Sequence, residues 1–186
     1  MPVAAAPRLY TLDDYLKTPE SLAPTQLAFG VMMVRDAPLP RHQEAVAQLF
    51  RALDAHVRAR RLGRMWLAPL DVILDPDAPL VVQPDLFFVS NDRASIVGDR
   101  VRGAPDLVIE VLSPEPRVGR LDERVRWFAE YGVAEAWLVH QDRRSVAVVP
   151  FTDRRVKRRR LFAESEPIAS VVLPDFHMTL LEILQE

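Results

Sequence analysis

The 186-residue sequence has no cysteine, which excludes disulfides, thiolate metal centres and cysteine nucleophiles and is compatible with a reducing cytoplasm. Nor is there an apolar run near the roughly 20 residues needed to cross a bilayer. Met1 to Arg8 lacks a charged start followed by a long apolar stretch, so no secretory signal is read and a cytoplasmic location is expected. An excess of positive charge is missing too. The net charge is −2 and the pI about 6.1, so any contact with nucleic acid must be local. There is no Gly-rich nucleotide-binding pattern, and no Gly-x-Ser-x-Gly elbow surrounds Ser113, which reads as a turn residue before Pro114. His56, His140 and His177 lack acid or histidine partners at metal-ligand spacing. Lysine is scarce, with Lys17 and Lys157 standing against twenty-two arginines.

What is present suffices for one compact domain over residues 1–186, since 49% of the chain is hydrophobic. The periodicity predicts a short helix near Leu12 to Thr18, a hairpin from about Gln26 to Val34, and a long helix from Arg41 to Leu62 stopped by Gly63. Strands are expected near Met65 to Leu74, Leu86 to Ser90 and Leu107 to Leu112. A second helix from Leu121 to Tyr131, ending at Gly132, follows. Strands near Glu135 to Val139, Ser145 to Val149 and Val156 to Phe162, and a helical tail from Met178 to Leu184, complete an α/β fold with a central mixed sheet flanked by helices.

The unusual residues lie between Gln83 and Pro114. Asp85 opens the apolar run Leu86-Phe87-Phe88-Val89, and Asp106 opens Leu107-Val108-Ile109-Glu110-Val111-Leu112. Both runs read as strands buried on two faces, so Glu110 sits where an ionised carboxylate costs several kcal/mol unless a cation or hydrogen-bond donors compensate it. Asp106 and Glu110 share a strand face but lie about 13 Å apart at roughly 3.3 Å per residue, too far to hold one ion. An antiparallel pairing with Ser90 near Pro105 instead brings Asp85 opposite Glu110. On this reading, Asp85→Ala relieves repulsion between like charges and costs little stability.

These residues resemble a known family. The Pro-Asp strand, then Gly103-Ala104-Pro105-Asp106-Leu107-Val108-Ile109-Glu110-Val111-Leu112-Ser113-Pro114, a helix ending in Tyr131-Gly132-Val133, and Glu135-Ala136-Trp137-Leu138-Val139 are similar to the Uma-type restriction endonuclease family of the PD-(D/E)XK nuclease superfamily. Tyr10 to Leu16, Pro40-Arg41-His42-Gln43 and Leu173-Pro174-Asp175-Phe176 extend the likeness over nearly the whole chain.

The resemblance implies a restriction-endonuclease-like fold and hydrolysis of DNA phosphodiester bonds with Mg²⁺ or Mn²⁺ held by hard oxygen ligands. Carried over, Asp85 is the Asp of the Pro-Asp motif, Glu110 the acid of the (D/E)XK element, and the Val111 carbonyl a further ligand. Asp106 and His42 take supporting tasks. Homodimers are common in that superfamily. Two positions depart from the pattern. The catalytic lysine expected about eight residues before the Gly-Val pair is Arg124, and an acid expected before the first hairpin is Gln26. Arginine stays protonated and offers a planar fork suited to phosphate, so it is a poor base. The alternative is therefore an inactive nuclease-fold module for nucleic-acid or protein binding.

Arginines gather in three places: Arg58 to Arg64, Arg117 to Arg126, and Arg154 to Arg160. The first suits the negative end of a helix, and the last reads as a solvated strand edge that discourages aggregation. The middle group, with Arg120 and Arg124, follows the acids directly and is the expected phosphate contact.

Overall fold

The computed structural model describes residues 9–19, 24–34, 37–112 and 121–184. Arg117, Arg120, Ser113 and Pro114 lie outside the described residues. In chain order the elements are α1 (Leu12–Leu16), β1 (Thr25–Ala28), β2 (Val31–Val34), α2 (Pro40–Ala59), β3 (Gly63–Leu67), β4 (Val72–Asp75), β5 (Leu80–Val82) and β6 (Leu86–Ser90). A 3-10 turn (Asn91–Ile96) leads to β7 (Val101–Arg102), β8 (Leu107–Leu112), α3 (Leu121–Glu130) and β9 (Glu135–His140). Last come β10 (Ser145–Thr152), β11 (Arg155–Val156), β12 (Arg160–Ala163) and α4 (Leu180–Ile183).

The expected central mixed sheet is joined by a second one. Seven strands run β11-β10-β9-β8-β6-β3 with β12 also on β10, and five run β2-β1-β5-β4-β7. Both are mixed, because β8 pairs parallel with β9 and β4 parallel with β7. The expected strand from Met65 to Leu74 is in fact β3 and β4 in different sheets, divided at Ala68 to Leu70, where Pro69 cannot donate to a ladder. The run Val156 to Phe162 is likewise split, since Lys157 to Arg159 lie outside any strand.

α2 buries Ala45, Val46, Leu49, Leu53 and Val57, one stripe at helical spacing, against Leu107, Ile109 and Val111 of β8. Val108 points the other way and packs with Val125, Phe128 and Ala129 of α3. Because strand side chains alternate, Glu110 shares the face of Val108 and looks toward α3. α2 ends earlier than expected: Ala59 is its last residue, and Arg61 takes the left-handed turn (φ 53°). Gly63 is instead needed for close strand approach, since a Cβ there would lie 2.1 Å from the Val89 carbonyl oxygen.

Candidate active site

The site begins with register. β6 and β8 are antiparallel with Leu86 opposite Ile109, Phe87 opposite Val108 and Phe88 opposite Leu107. This is the register expected from pairing Ser90 with Pro105; Asp85 is the residue before β6, and its side chain meets the N–H of Val111, the neighbour of Glu110. Both carboxylates are buried, with Asp85 5% and Glu110 4% exposed, and Gln26 on β1 is 2% exposed.

Each carboxylate is compensated differently. β6 starts at Leu86, so the Val111 N–H has lost its strand partner and donates instead to Asp85 Oδ2 at 2.8 Å. His42, in the first turn of α2, brings Nε2 to 3.3 Å from the same oxygen. Its Nδ1 is buried and has no hydrogen-bond partner among the described residues.

Glu110 is met by Arg124. The Arg124 Nε donates to Glu110 Oε1 at 2.7 Å, and Nη2 lies at the same distance from that oxygen. Nη1 donates to Gln26 Oε1 at 2.6 Å, and Nη2 reaches the Gln83 carbonyl at 3.4 Å. The guanidinium lies 5.4 Å from the centroid of Phe128, one turn along α3, within cation-π range. The two positions that depart from the family pattern thus touch each other: a fork with several donors spans a neutral amide and a carboxylate, which a single ammonium does less well.

Asp106 stands apart. Its Oδ2 accepts the Ser90 N–H at 2.7 Å and its Oδ1 lies 3.6 Å from Arg93, while its backbone carbonyl accepts from Ala134 and Glu135. It ties β6, β8 and the start of β9 together. Arg41, next to His42, faces Asp142 at 3.4 Å, which holds the start of α2 to the β9–β10 turn.

Sequence reasoning passed over the polar layer beneath the site. The buried Asp71 accepts from the Tyr15 hydroxyl (2.8 Å), Gln83 Nε2 (2.9 Å) and Arg100 Nη1 (2.8 Å). Burial, and then the hydrogen bond and charge of Asp71, push the Tyr15 phenol far above its ordinary range. The available signal was Gln83-Pro84-Asp85, a polar residue two places before a ligand candidate.

A family model described as "Putative restriction endonuclease" matches residues 12–181. The chain belongs to this Uma2 family. Its fold is similar to a crystal structure titled a "putative nuclease belonging to DUF820" from Anabaena variabilis. The TM-score is 0.78 at 19% identity, over 94% of this chain and 97% of the other. No curated protein matches. Among the described residues of this Uma2 chain, no group of three or more His, Cys, Asp or Glu is placed to hold a metal. No described helix is long and apolar enough to cross a membrane.

Proposed function

We propose that this Uma2 protein is a divalent-metal-dependent endonuclease that hydrolyses DNA phosphodiester bonds at the Asp85–Glu110 pair. The observation that carries the reading is the burial of these two carboxylates at neighbouring positions, with Asp85 accepting the N–H of Val111, the residue after Glu110, and Glu110 meeting the Arg124 guanidinium. The donor set fits Mg²⁺ or Mn²⁺: Asp85, Glu110 and the Val111 carbonyl offer hard oxygens, while the Gln26 amide oxygen is taken by Arg124. Mg²⁺ is commonly held by one or two carboxylates with water and substrate phosphate filling the remaining positions. When bound, such an ion would polarise the phosphate and lower the pKa of an attacking water.

The side chains themselves divide the remaining work. The Val111 N–H and His42 fix the orientation of Asp85. Arg124 carries a permanent charge and a fork that matches phosphate oxygens, so it would hold the scissile phosphate and stabilise its developing charge without taking a proton. Its grip on Glu110 and Gln26 keeps that charge beside the acids.

Cleavage of plasmid and single-stranded DNA by the wild type and by Asp85→Asn and Glu110→Gln, with Mn²⁺ or EDTA, tests the reading. Metal-dependent cutting lost in both variants supports it. A second reading is favoured by the same Arg124 contacts: the guanidinium replaces the metal, and the site is an inert relic in a binding module. No cutting, together with no rise in melting temperature on adding Mn²⁺, selects that reading. The homodimer implied by the superfamily resemblance is checked separately by sedimentation equilibrium.

A further inference from the structure

The hairpin that ends β10 carries the strongest charge segregation in the molecule. Thr152 and Arg155 are paired, and Asp153 and Arg154 between them both take left-handed conformations (φ 52° and 57°), a two-residue turn of the kind that matches strand twist. From Asp153 to Arg160 the chain reads Asp-Arg-Arg-Val-Lys-Arg-Arg-Arg, and every residue is exposed. Six cations less Asp153 give this segment +5, and the chain total of −2 then leaves −7 for everything else. Among the described residues none of these cations is paired with a carboxylate. Arg160 lies over the Phe162 ring at 4.5 Å.

Protection of a sheet edge does not account for this. The edge strand β11 is only Arg155 and Val156, and one or two charges suffice to discourage edge pairing. Lys157 still donates its N–H to the Pro150 carbonyl of β10, but Arg158 and Arg159 lie in the link between β11 and β12, outside any strand. Holding six like charges together in an acidic protein costs self-repulsion that a polyanion would relieve.

We infer that the Asp153–Arg160 hairpin is a docking arm for the phosphate backbone of duplex DNA. The choice of DNA rests on the nuclease reading, whereas the preference for a polyanion rests on charge and exposure alone. β11 packs beside α3, whose first turn carries Arg124 to Glu110, and lies beyond the Glu135 end of β9, the other end of the sheet from the Val111–Asp85 contact. Glu110 is level with Leu138 on β9, and Pro150 of β10 is level with Glu135. At roughly 4.8 Å between strands and 3.3 Å per residue, the hairpin tip is about 23 Å from Glu110. That is about seven base pairs at roughly 3.4 Å each, a span well within one duplex. The contact is to phosphates and carries no sequence preference.

The test is fluorescence anisotropy of a 24-base-pair duplex with the full chain in EDTA, from 50 to 300 mM salt. The wild type is compared with a variant in which Arg154, Arg155, Lys157, Arg158 and Arg159 are all changed to Gln. Each phosphate neutralised contributes about 0.9 to the slope of log K against log salt. The variant should therefore bind at least tenfold more weakly, with a slope lower by about 3 to 4 and an unchanged melting temperature. Equal affinity and slope overturn the inference, as does absence of wild-type binding or binding confined to duplex RNA. The outcome is independent of catalysis: Glu110→Gln should still bind DNA through the arm, so failure of cleavage and failure of docking are read separately.

Discussion

Replacing Asp85 by alanine and by asparagine separates two tasks that one side chain performs. Seen as one of two like charges, Asp85 is dispensable for stability. The structure alters that expectation, because its Oδ2 is the partner of the buried Val111 N–H at 2.8 Å and faces His42 Nε2 at 3.3 Å. Asp85→Ala therefore gains some relief of repulsion but strands a buried donor, at a cost of about 1–3 kcal/mol. For a chain of this size that lowers the melting temperature by about 2–4 °C per kcal/mol. Asp85→Asn keeps an acceptor of the same shape and should lose less than about 1 kcal/mol, while the negative charge is gone from both variants. Calorimetric melting with and without Mn²⁺ reads stability and ion binding together. The expected pattern is a large loss for Ala, a small one for Asn, and no Mn²⁺ stabilisation in either. Equal losses would refute the hydrogen-bond argument, and Mn²⁺ stabilisation surviving in Asp85→Asn would refute Asp85 as a ligand.

Arg124→Met removes the cation from Glu110 and Gln26. Breaking a buried pair costs about 3–5 kcal/mol, and the 15% exposure of the Arg124 side chain reduces this to about 2–4 kcal/mol, measured by denaturant unfolding. Arg124→Lys keeps the charge but not the fork, so it should lose stability by a smaller margin while raising cleavage if the family mechanism operates; unchanged or lower activity would give Arg124 a different task. Tyr15 has a phenol pKa raised by folding, so its contribution is complete below the ordinary value near 10 and is lost as pH rises above it. Alkaline melts should accordingly show a decline starting near pH 10. Asp71→Asn should shift the tyrosinate absorbance titration downward, because Asp71 is a cause of the raised value second only to burial. Glu135 is fully buried and accepts from Trp137 Nε1, Ser170 Oγ and the Val171 N–H. Glu135→Gln puts an amide where three donors converge and should cost about 2–4 kcal/mol of unfolding free energy without changing metal binding.

The register of the strands that carry the two buried carboxylates was legible because strand periodicity is rigid. Proline boundaries and β-branched runs located β6 and β8, β8 spans the expected Leu107 to Leu112, and a register assumed from Ser90 and Pro105 set Asp85 against Glu110. Gln26 and Arg124 were named for departing from a pattern, but nothing in a linear reading brings them together: one is on β1 of the five-stranded sheet, the other on α3 over the seven-stranded one. The second sheet itself was hidden. β5 and β7 have only three and two residues, too short for any alternation to register. The basic hairpin was visible as composition, yet its weight depends on knowing that Arg158 and Arg159 leave the strands, which sequence cannot supply.

The polar layer under the site explains how this sheet tolerates its buried charge. Gln83 lends its backbone carbonyl to Arg124 and its side-chain amide to Asp71, which in turn holds Arg100 and the Tyr15 hydroxyl. Tyr15 also donates to the Thr25 carbonyl, one residue before Gln26. Acids and donors therefore alternate from α1 through β1 and the β5–β6 link to α3, and no member's cost can be assigned alone, because removing one leaves its neighbours unsatisfied in a low-dielectric interior. Such a layer would hold Gln26 and Arg124 in place before any ligand arrives. If Arg124 must release Glu110 to meet a phosphate, Gln26 and the Gln83 carbonyl still hold its other nitrogens, so the guanidinium can pivot between partners without leaving the site.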